Sequence, residues 1–424
     1  MTVKSSSSRG QTVIERIFSS RGGRRVYAGE MVVARVDLVM ATDGSGPLML
    51  EYFRKMNGKS VFDPRKIFMV LDHYVPCPND KVSRLQDSMR SFVSRGLGVL
   101  VEMGEGICHQ VLPEGGYVRP GELIVGGDSH STSYGALNAA GIGVGSSDLA
   151  SAAISGALWF RVPGTIRVEF RGSLRRGVAP KDLAIYTVRE IGGSGAVYKA
   201  VEFGGDGVAG LQMPGRFTIC NLMAETGAKC AIMPADSLTM GYLGGDSSAD
   251  CVAADPDAQY EKIISIDLAS VEPMVSLPHR ADNAVPVRDA EGIPVQMGLI
   301  GTCTNGRLED FKEALDAMGD RNVHPGFQLL VVPASRKIYA EMAGNGMLAK
   351  FAEKGAVILP PSCGPCCGSS AGTPGDGVNV ISTANRNFIG RMRNVNANIY
   401  LDSPATVGIS SVAGIITDPG RVVQ

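Results

Sequence analysis

Three cysteines in a loop rich in Gly and Pro are the first residues that could do chemistry: Cys363, Cys366 and Cys367 in Pro361-Ser-Cys-Gly-Pro-Cys-Cys-Gly368. Two intervening residues let the thiolates of Cys363 and Cys366 face one metal. Sixty residues upstream, Cys303 sits in a similar loop, Gly301-Thr-Cys-Thr-Asn-Gly306. A C-x-x-C pair alone is compatible with half a zinc site or a redox pair. A structural zinc needs four closed ligands, and only Cys303 obviously joins. Three thiolates fit an iron–sulfur cluster with one iron left open for substrate. Either Cys366 or Cys367 can serve as the third ligand on spacing alone.

Anion chemistry is suggested next door. Arg386 and Arg391 flank Asn387-Phe-Ile-Gly390. A guanidinium grips a carboxylate through two parallel hydrogen bonds, which suits a di- or tricarboxylic acid. The alternative is a solvated basic loop, since Arg393 follows. Acid–base chemistry is suggested by His73, His109 and His130, three of only five histidines in the chain. Asp72 and Asp128 stand close by, and a neighbouring carboxylate fixes the tautomer and raises the histidine pKa. A lone histidine is more often structural; three in equivalent positions are not lone. Glu202, where an apolar run meets glycines, reads equally as a histidine's partner or an exposed strand end. His279 and His324 have no such setting and read as surface residues.

Positioning these groups falls to apolar runs that end just before them. Lys66–Leu71 precedes Asp72 and His73, Gly98–Glu102 precedes His109, Glu122–Val125 precedes Asp128, Ser129 and His130, and Val295–Ile300 precedes Cys303. In open α/β sheets ligands bind beyond the carboxyl ends of strands. Alternation of strand-like and helical patterns gives an α/β fold class with largely parallel sheets. Ser147–Phe160, Lys181–Ile191 and Arg307–Met318 read as helices, Thr165–Phe170 as a strand, and 244–293 as linker-bearing. The domain expectation is 1–162, 163–290 and 291–424.

Bulk properties narrow the class. The 424 residues carry a formal net charge of −1 with no long basic run, which argues against nucleic acid or an acidic membrane as partner. No apolar run is long enough to span a bilayer. The first 25 residues are Ser- and Arg-rich like a transit peptide, but Val13–Phe18 reads as the start of a folded helix. Nine scattered cysteines without a secretory signal do not form a disulfide framework. Cys77, Cys108, Cys220, Cys230 and Cys251 read as small apolar residues or incidental thiols. The expected compartment is the cytoplasm.

Taken together, Gly127-Asp-Ser-His-Ser131, Gly301-Thr-Cys-Thr-Asn305, Cys363-Gly-Pro-Cys366 and Asn385-Arg-Asn-Phe-Ile-Gly-Arg391 resemble the aconitase superfamily. The likeness runs from Val26-Tyr-Ala-Gly-Glu30 to Ile415-Ile-Thr-Asp-Pro419. It implies three aconitase-like α/β domains around a [4Fe–4S] cluster held by Cys303, Cys363 and Cys366. By resemblance, Asp72 and His73 would protonate a departing hydroxyl. His109, Asp128, His130 and Glu202 would hold the water network. Asn305 and Asn385 would bond near the cluster. Arg386 and Arg391 would clamp substrate carboxylates, and Ser129 would join the substrate-binding set. The implied activity is dehydration or isomerisation of a 2-hydroxy di- or tricarboxylate, isopropyl-substituted malate first, then homocitrate, citramalate and dimethylmalate. The chain stops at Gln424 without the swivelling fourth domain, so a separate small subunit is the expected partner. Cys367 and the loop Arg393-Asn-Val-Asn-Ala-Asn398 depart from the family pattern. The competing reading is a metal-binding sensor without turnover.

Overall fold

A five-stranded parallel sheet organises the first part of the chain in the computed structural model, which describes residues 9–245 and 250–421. Its strands lie in the order Val99–Val101, Ile67–Val70, Leu38–Thr42, Leu123–Gly126, Ala140–Gly143. The winding therefore reverses between Leu38–Thr42 and Leu123–Gly126. That reversal opens a crevice at the carboxyl ends of those strands. Leu38 and Met40 face one hydrophobic core, Val39 and Ala41 the other. Period-2 alternation thus buries both faces, as a parallel sheet requires.

A four-stranded parallel sheet follows, ordered Cys230–Ile232, Lys199–Gly204, Gly164–Arg171, Lys262–Asp267. The third sheet has seven strands: Ala284–Pro286, Met274–Ser276, Asn398–Leu401, Asn379–Ser382, Met297–Gly301, Gln328–Val332 and Val357–Ile358. Residues from all three sheets share one core, including Met40, Val168 and Leu299.

The structure corrects several sequence expectations. A border at residue 290 does not separate the second and third sheets. Strands 274–276 and 284–286 join the third sheet through antiparallel pairing of Ser276 with Leu401. The helix expected over 147–160 stops early, at Ser146–Ser155. Gly156, at φ +71°, ends it, and Ala157–Arg161, rich in bulky side chains that suit a strand, pairs antiparallel with Met31–Arg35. Thr302–Asn305 is a helical turn rather than a loop, and Gly364–Cys367 is a 3-10 turn. The N-terminal helix is Val13–Gly22. Residues 1–8 of the Ser- and Arg-rich stretch, and 246–249 of the expected linker, lie outside the described residues. No helix among the described residues is long and apolar enough to cross a membrane.

Helix Pro180–Ile191 shows how sequence sets an element and its docking together. Pro180 opens it, the Asp182 carboxylate accepts Ala179 N–H at 2.8 Å, and Gly192 ends it. The other Asp182 oxygen accepts Met274 N–H at 3.0 Å, tying this helix to the third sheet. Asp182 is fully buried, and burial pushes its pKa up to about 7. The folded chain therefore holds a proton that the unfolded chain releases near the ordinary Asp value of 3.8. Stability contributed by this group is present at low pH and falls as pH rises from about 4 to 7, by on the order of 4 kcal/mol. Denaturant midpoints recorded across that window should fall with pH, and the fall should be shallower in Asp182→Asn.

Candidate active site

The carboxyl ends of four neighbouring strands deliver the polar groups. Asp43 follows Leu38–Thr42, Asp72 and His73 follow Ile67–Val70, His109 follows Val99–Val101 on the short helix Cys108–Glu114, and Asp128 follows Leu123–Gly126. Asp43, which sequence reading passed over, accepts the backbone N–H groups of His73 at 2.9 Å and Tyr74 at 3.2 Å. It thereby shapes the turn that presents His73. Burial, and repulsion from Asp72, raise its pKa.

Asp128 is the hub. Its Oδ1 lies 2.9 Å from His109 Nε2 and 3.3 Å from His130 Nδ1, and its Oδ2 lies 3.5 Å from His73 Nε2. Burial opposes its ionisation, yet hydrogen bonds from His109, His130 and His73 hold it well below the usual carboxylate range. Asp72 Oδ1 meets His73 Nδ1 at 2.7 Å, and Asp72 Oδ2 accepts Cys108 N–H at 2.8 Å. Burial alone would lower the His73 pKa; Asp72 and Asp128 reverse this and raise it well above 6.5. The two carboxylates thus favour the charged form of His73, whose Nε2 faces Asp128.

The third sheet brings the sulfurs to this cluster. Cys363 N–H donates to the Asp72 carbonyl at 3.0 Å, and Cys363 Sγ lies 3.9 Å from His73 Nδ1. Asp72, His73 and Cys363 each offer a ligand atom within 4.8 Å of the others. The Asn385 side chain spans two sulfurs: its Nδ2 donates to Cys303 Sγ at 3.4 Å, and its Oδ1 lies 3.7 Å from Cys366 Sγ. Asn221 Nδ2 adds a donor to Cys303 Sγ at 3.3 Å, and an Arg391 guanidinium nitrogen one to Cys366 Sγ at 3.6 Å. Cys367 turns to Ser369 Oγ at 3.0 Å; a hydrogen bond from Cys363, against burial, draws its thiol down to about 5.

These three sulfurs fit a metal cluster. Burial pushes the Cys303 thiol up to about 11, with the Cys366 charge adding to the effect. A bare Cys303 thiolate is disfavoured there, whereas amide and guanidinium donors aimed at sulfur suit thiolates bound to a cation. Local backbone places Cys303. Gly301 has φ +137°, and a Cβ there would stand 2.0 Å from the Val332 carbonyl oxygen. Arg307 then grips the Thr304 and Cys303 carbonyls at 3.0 and 3.3 Å.

The arginines read from the sequence as carboxylate-binding lie near this cluster as well. Arg386 Nε donates to Glu225 Oε1 at 2.7 Å and its terminal nitrogen to Ser129 Oγ at 2.8 Å. The same Glu225 oxygen meets His130 Nε2 at 3.0 Å. Arg391 Nε is buried with no hydrogen-bond partner among the described residues.

Two sequence expectations are corrected. Glu202 is not a histidine's partner. It accepts from Arg167 at 2.7 Å, Tyr260 OH at 2.7 Å and Val13 N–H at 2.9 Å, and so anchors the N-terminal helix. Glu225 is the acid that meets a histidine, His130. Asn305 donates to Asp310 at 2.8 Å and Thr218 at 3.3 Å rather than to sulfur; Asn221 takes that place. Helix Met213–Leu222 is apolar except for a few such residues, and a lone Asn in an apolar run was the available signal. His324 is exposed as expected, while His279 is half-buried. Cys108, Cys220 and Cys230 are buried, Cys77 half-buried and Cys251 exposed.

Comparison with known proteins places this geometry. The family model described as Aconitase family (aconitate hydratase) matches residues 15–292 and 288–414. The chain belongs to the aconitase family. It is 46% identical over 420 residues to the 3-isopropylmalate dehydratase large subunit 1 of Thermotoga maritima, covering 98% of this chain and 100% of that one. It is 42% identical over 413 residues to the large subunit 1 of the same name from Methanopyrus kandleri, covering 97% and 99%. With the large subunit from Moorella thermoacetica it shares 41% over 420 residues, covering 98% and 100%.

The two glutamates separate by experiment. Glu225→Gln should lower kcat/KM by about 10²-fold or more, because it removes the carboxylate that orients both His130 and Arg386. Glu202→Gln should lower the melting temperature and leave kcat/KM within about threefold, because its partners are structural. Steady-state kinetics with thermal denaturation of both variants checks this.

Proposed function

We propose that the chain is the cluster-bearing large subunit of a hydro-lyase that converts 2-isopropylmalate to 3-isopropylmalate, a step of leucine biosynthesis. The observation that carries this reading is the meeting of three buried cysteine sulfurs with the Asp128-centred histidines and Arg386. The dehydratase names of relatives matching along nearly the full chain support the substrate. The words "large subunit" in those names support a separate small subunit. That partner carries the swivelling domain and closes the cleft, and the pair works in the cytoplasm.

In this reading Cys303, Cys363 and Cys366 hold a [4Fe–4S] cluster, which supplies a Lewis acid for the substrate hydroxyl and a carboxylate. The chain's own residues do the rest. His73, charged by Asp72 and Asp128, donates its Nε2 proton to the departing hydroxyl. Asp128 stays ionised and holds His109 and His130 ready to bind the released water. Arg386 uses two of its donors on Glu225 and Ser129 and presents the others to a substrate carboxylate. Arg391 takes a second carboxylate. Asn385 and Asn221 support the Cys303 sulfur, and Asn305 braces the same loop through Asp310. The base that removes the carbon-bound proton, and the wall that reads the substrate's apolar group, come from the small subunit. Homocitrate, citramalate and dimethylmalate fit the same carboxylate clamps and are the competing substrates.

Cys303→Ser should abolish both the visible absorbance of the cluster and the activity of the reconstituted pair. Retention of either sinks the proposal. Cys367→Ala should keep the cluster and most of the activity, since Cys366 is the sulfur that Asn385 and Arg391 face. Isopropylmalate should be turned over with a kcat/KM at least tenfold above that for the other three acids.

A further inference from the structure

One fully buried cation has no part in the chemistry described so far. Lys181, in the first turn of helix Pro180–Ile191, is 0% exposed. Its Nζ donates to the carbonyl oxygens of Thr383 at 2.6 Å and Ala384 at 2.7 Å. Those residues immediately precede Asn385 and Arg386.

The rest of that turn is held by its own sheet. Thr383 N–H donates to the Leu299 carbonyl at 2.9 Å, and its Oγ1 accepts Gly301 N–H at 3.0 Å. Ala384 N–H donates to Ser382 Oγ at 3.0 Å. The two carbonyls point the other way, toward the second sheet's helix, where the lysine meets them. Burial draws the Lys181 pKa down to about 7, with the nearby Asp310 and Asp402 carboxylates opposing that fall. An apolar side chain of similar size would avoid the cost of burying an ammonium, and such replacements are often neutral or stabilising. The cost is explained if the ammonium fixes the direction of those carbonyls.

We propose that Lys181 is a positioning residue: by clamping the Thr383 and Ala384 carbonyls from another part of the chain, it sets where Asn385 stands against Cys303 and where Arg386 stands against Glu225 and Ser129. The proposal rests on the reading of Arg386 as a substrate clamp and of Cys303 as a cluster ligand. Only one peptide unit separates the clamped Ala384 carbonyl from Arg386, so a shift at the carbonyls is transmitted directly to both side chains. Loss of the lysine misplaces a carboxylate-binding group and a donor to sulfur at the same time. A misplacement of about 1 Å is enough to cost on the order of 10²-fold in rate.

The test uses the chain reconstituted with its small subunit, comparing wild type with Lys181→Met and Asp182→Asn. Lys181→Met should raise KM for the isopropylmalate substrate about tenfold or more, lower kcat as well, and shift the EPR signal of the reduced cluster. Asp182→Asn, the equally buried neighbour, should change stability while KM and the EPR signal stay within about twofold of wild type. A Lys181→Met protein with wild-type KM and an unshifted signal overturns the proposal, whatever its melting temperature. If Lys181→Met does not fold, Lys181→Gln, which keeps a donor, carries the same comparison; if neither folds, Lys181 is merely structural and the proposal falls. A wild-type pair without cluster or turnover instead defeats the functional reading beneath it.

Discussion

The site depends on keeping one carboxylate charged in the protein interior. Asp128 is largely shielded from solvent, and hydrogen bonds from the side chains of His109, His130 and His73 hold it ionised. The charges are mutual, because the same contact helps hold His73 protonated. Strand geometry makes this possible. These groups come from the carboxyl ends of strands in one parallel sheet, beside the reversal of winding that opens a crevice. Turn residues then do the fine placement: Asp43 shapes the His73 turn, and Asp128 accepts its own downstream His130 N–H at 2.8 Å.

The three sheets are stitched together at the site by hydrogen bonds rather than by apolar packing alone. Asp72 receives Cys363 from the third sheet, Asn221 reaches Cys303, and Glu225 reaches both His130 and Arg386. In a low-dielectric interior each such bond is strong and each lost partner is costly. The arrangement therefore specifies one relative placement of the parts, which is what a multi-residue site requires.

Much of this was legible in the chain. Apolar runs ending in Asp, His or Cys gave the strand ends to within a residue or two, because a buried parallel strand has a strong compositional signature. The cysteines and arginines read from local spacing do come together beside the histidines in the fold. The misses share a cause. Glu202 and Glu225 are both acids beside glycines, and nothing local says which one meets a histidine; that is decided by how one sheet docks on another. Asn305 was placed near the cluster by resemblance, yet its side chain points along the turn to Asp310. Asn221 is 82 residues away from the cysteine it serves. The strand at 157–161 was lost to a helical pattern that Gly156 cuts short. Sequence pattern reports periodicity well and stopping points less well.

One oxygen of Glu225 serves His130 and Arg386 together. His130 and Arg386 are thus mechanically married, and neither can drift under selection without disturbing the other. Evolutionary divergence toward new acids is thereby channelled away from this chain's floor and onto surfaces that do not share the atom. A lineage acquiring a different metabolite would be expected to conserve this chamber and rewrite its lid.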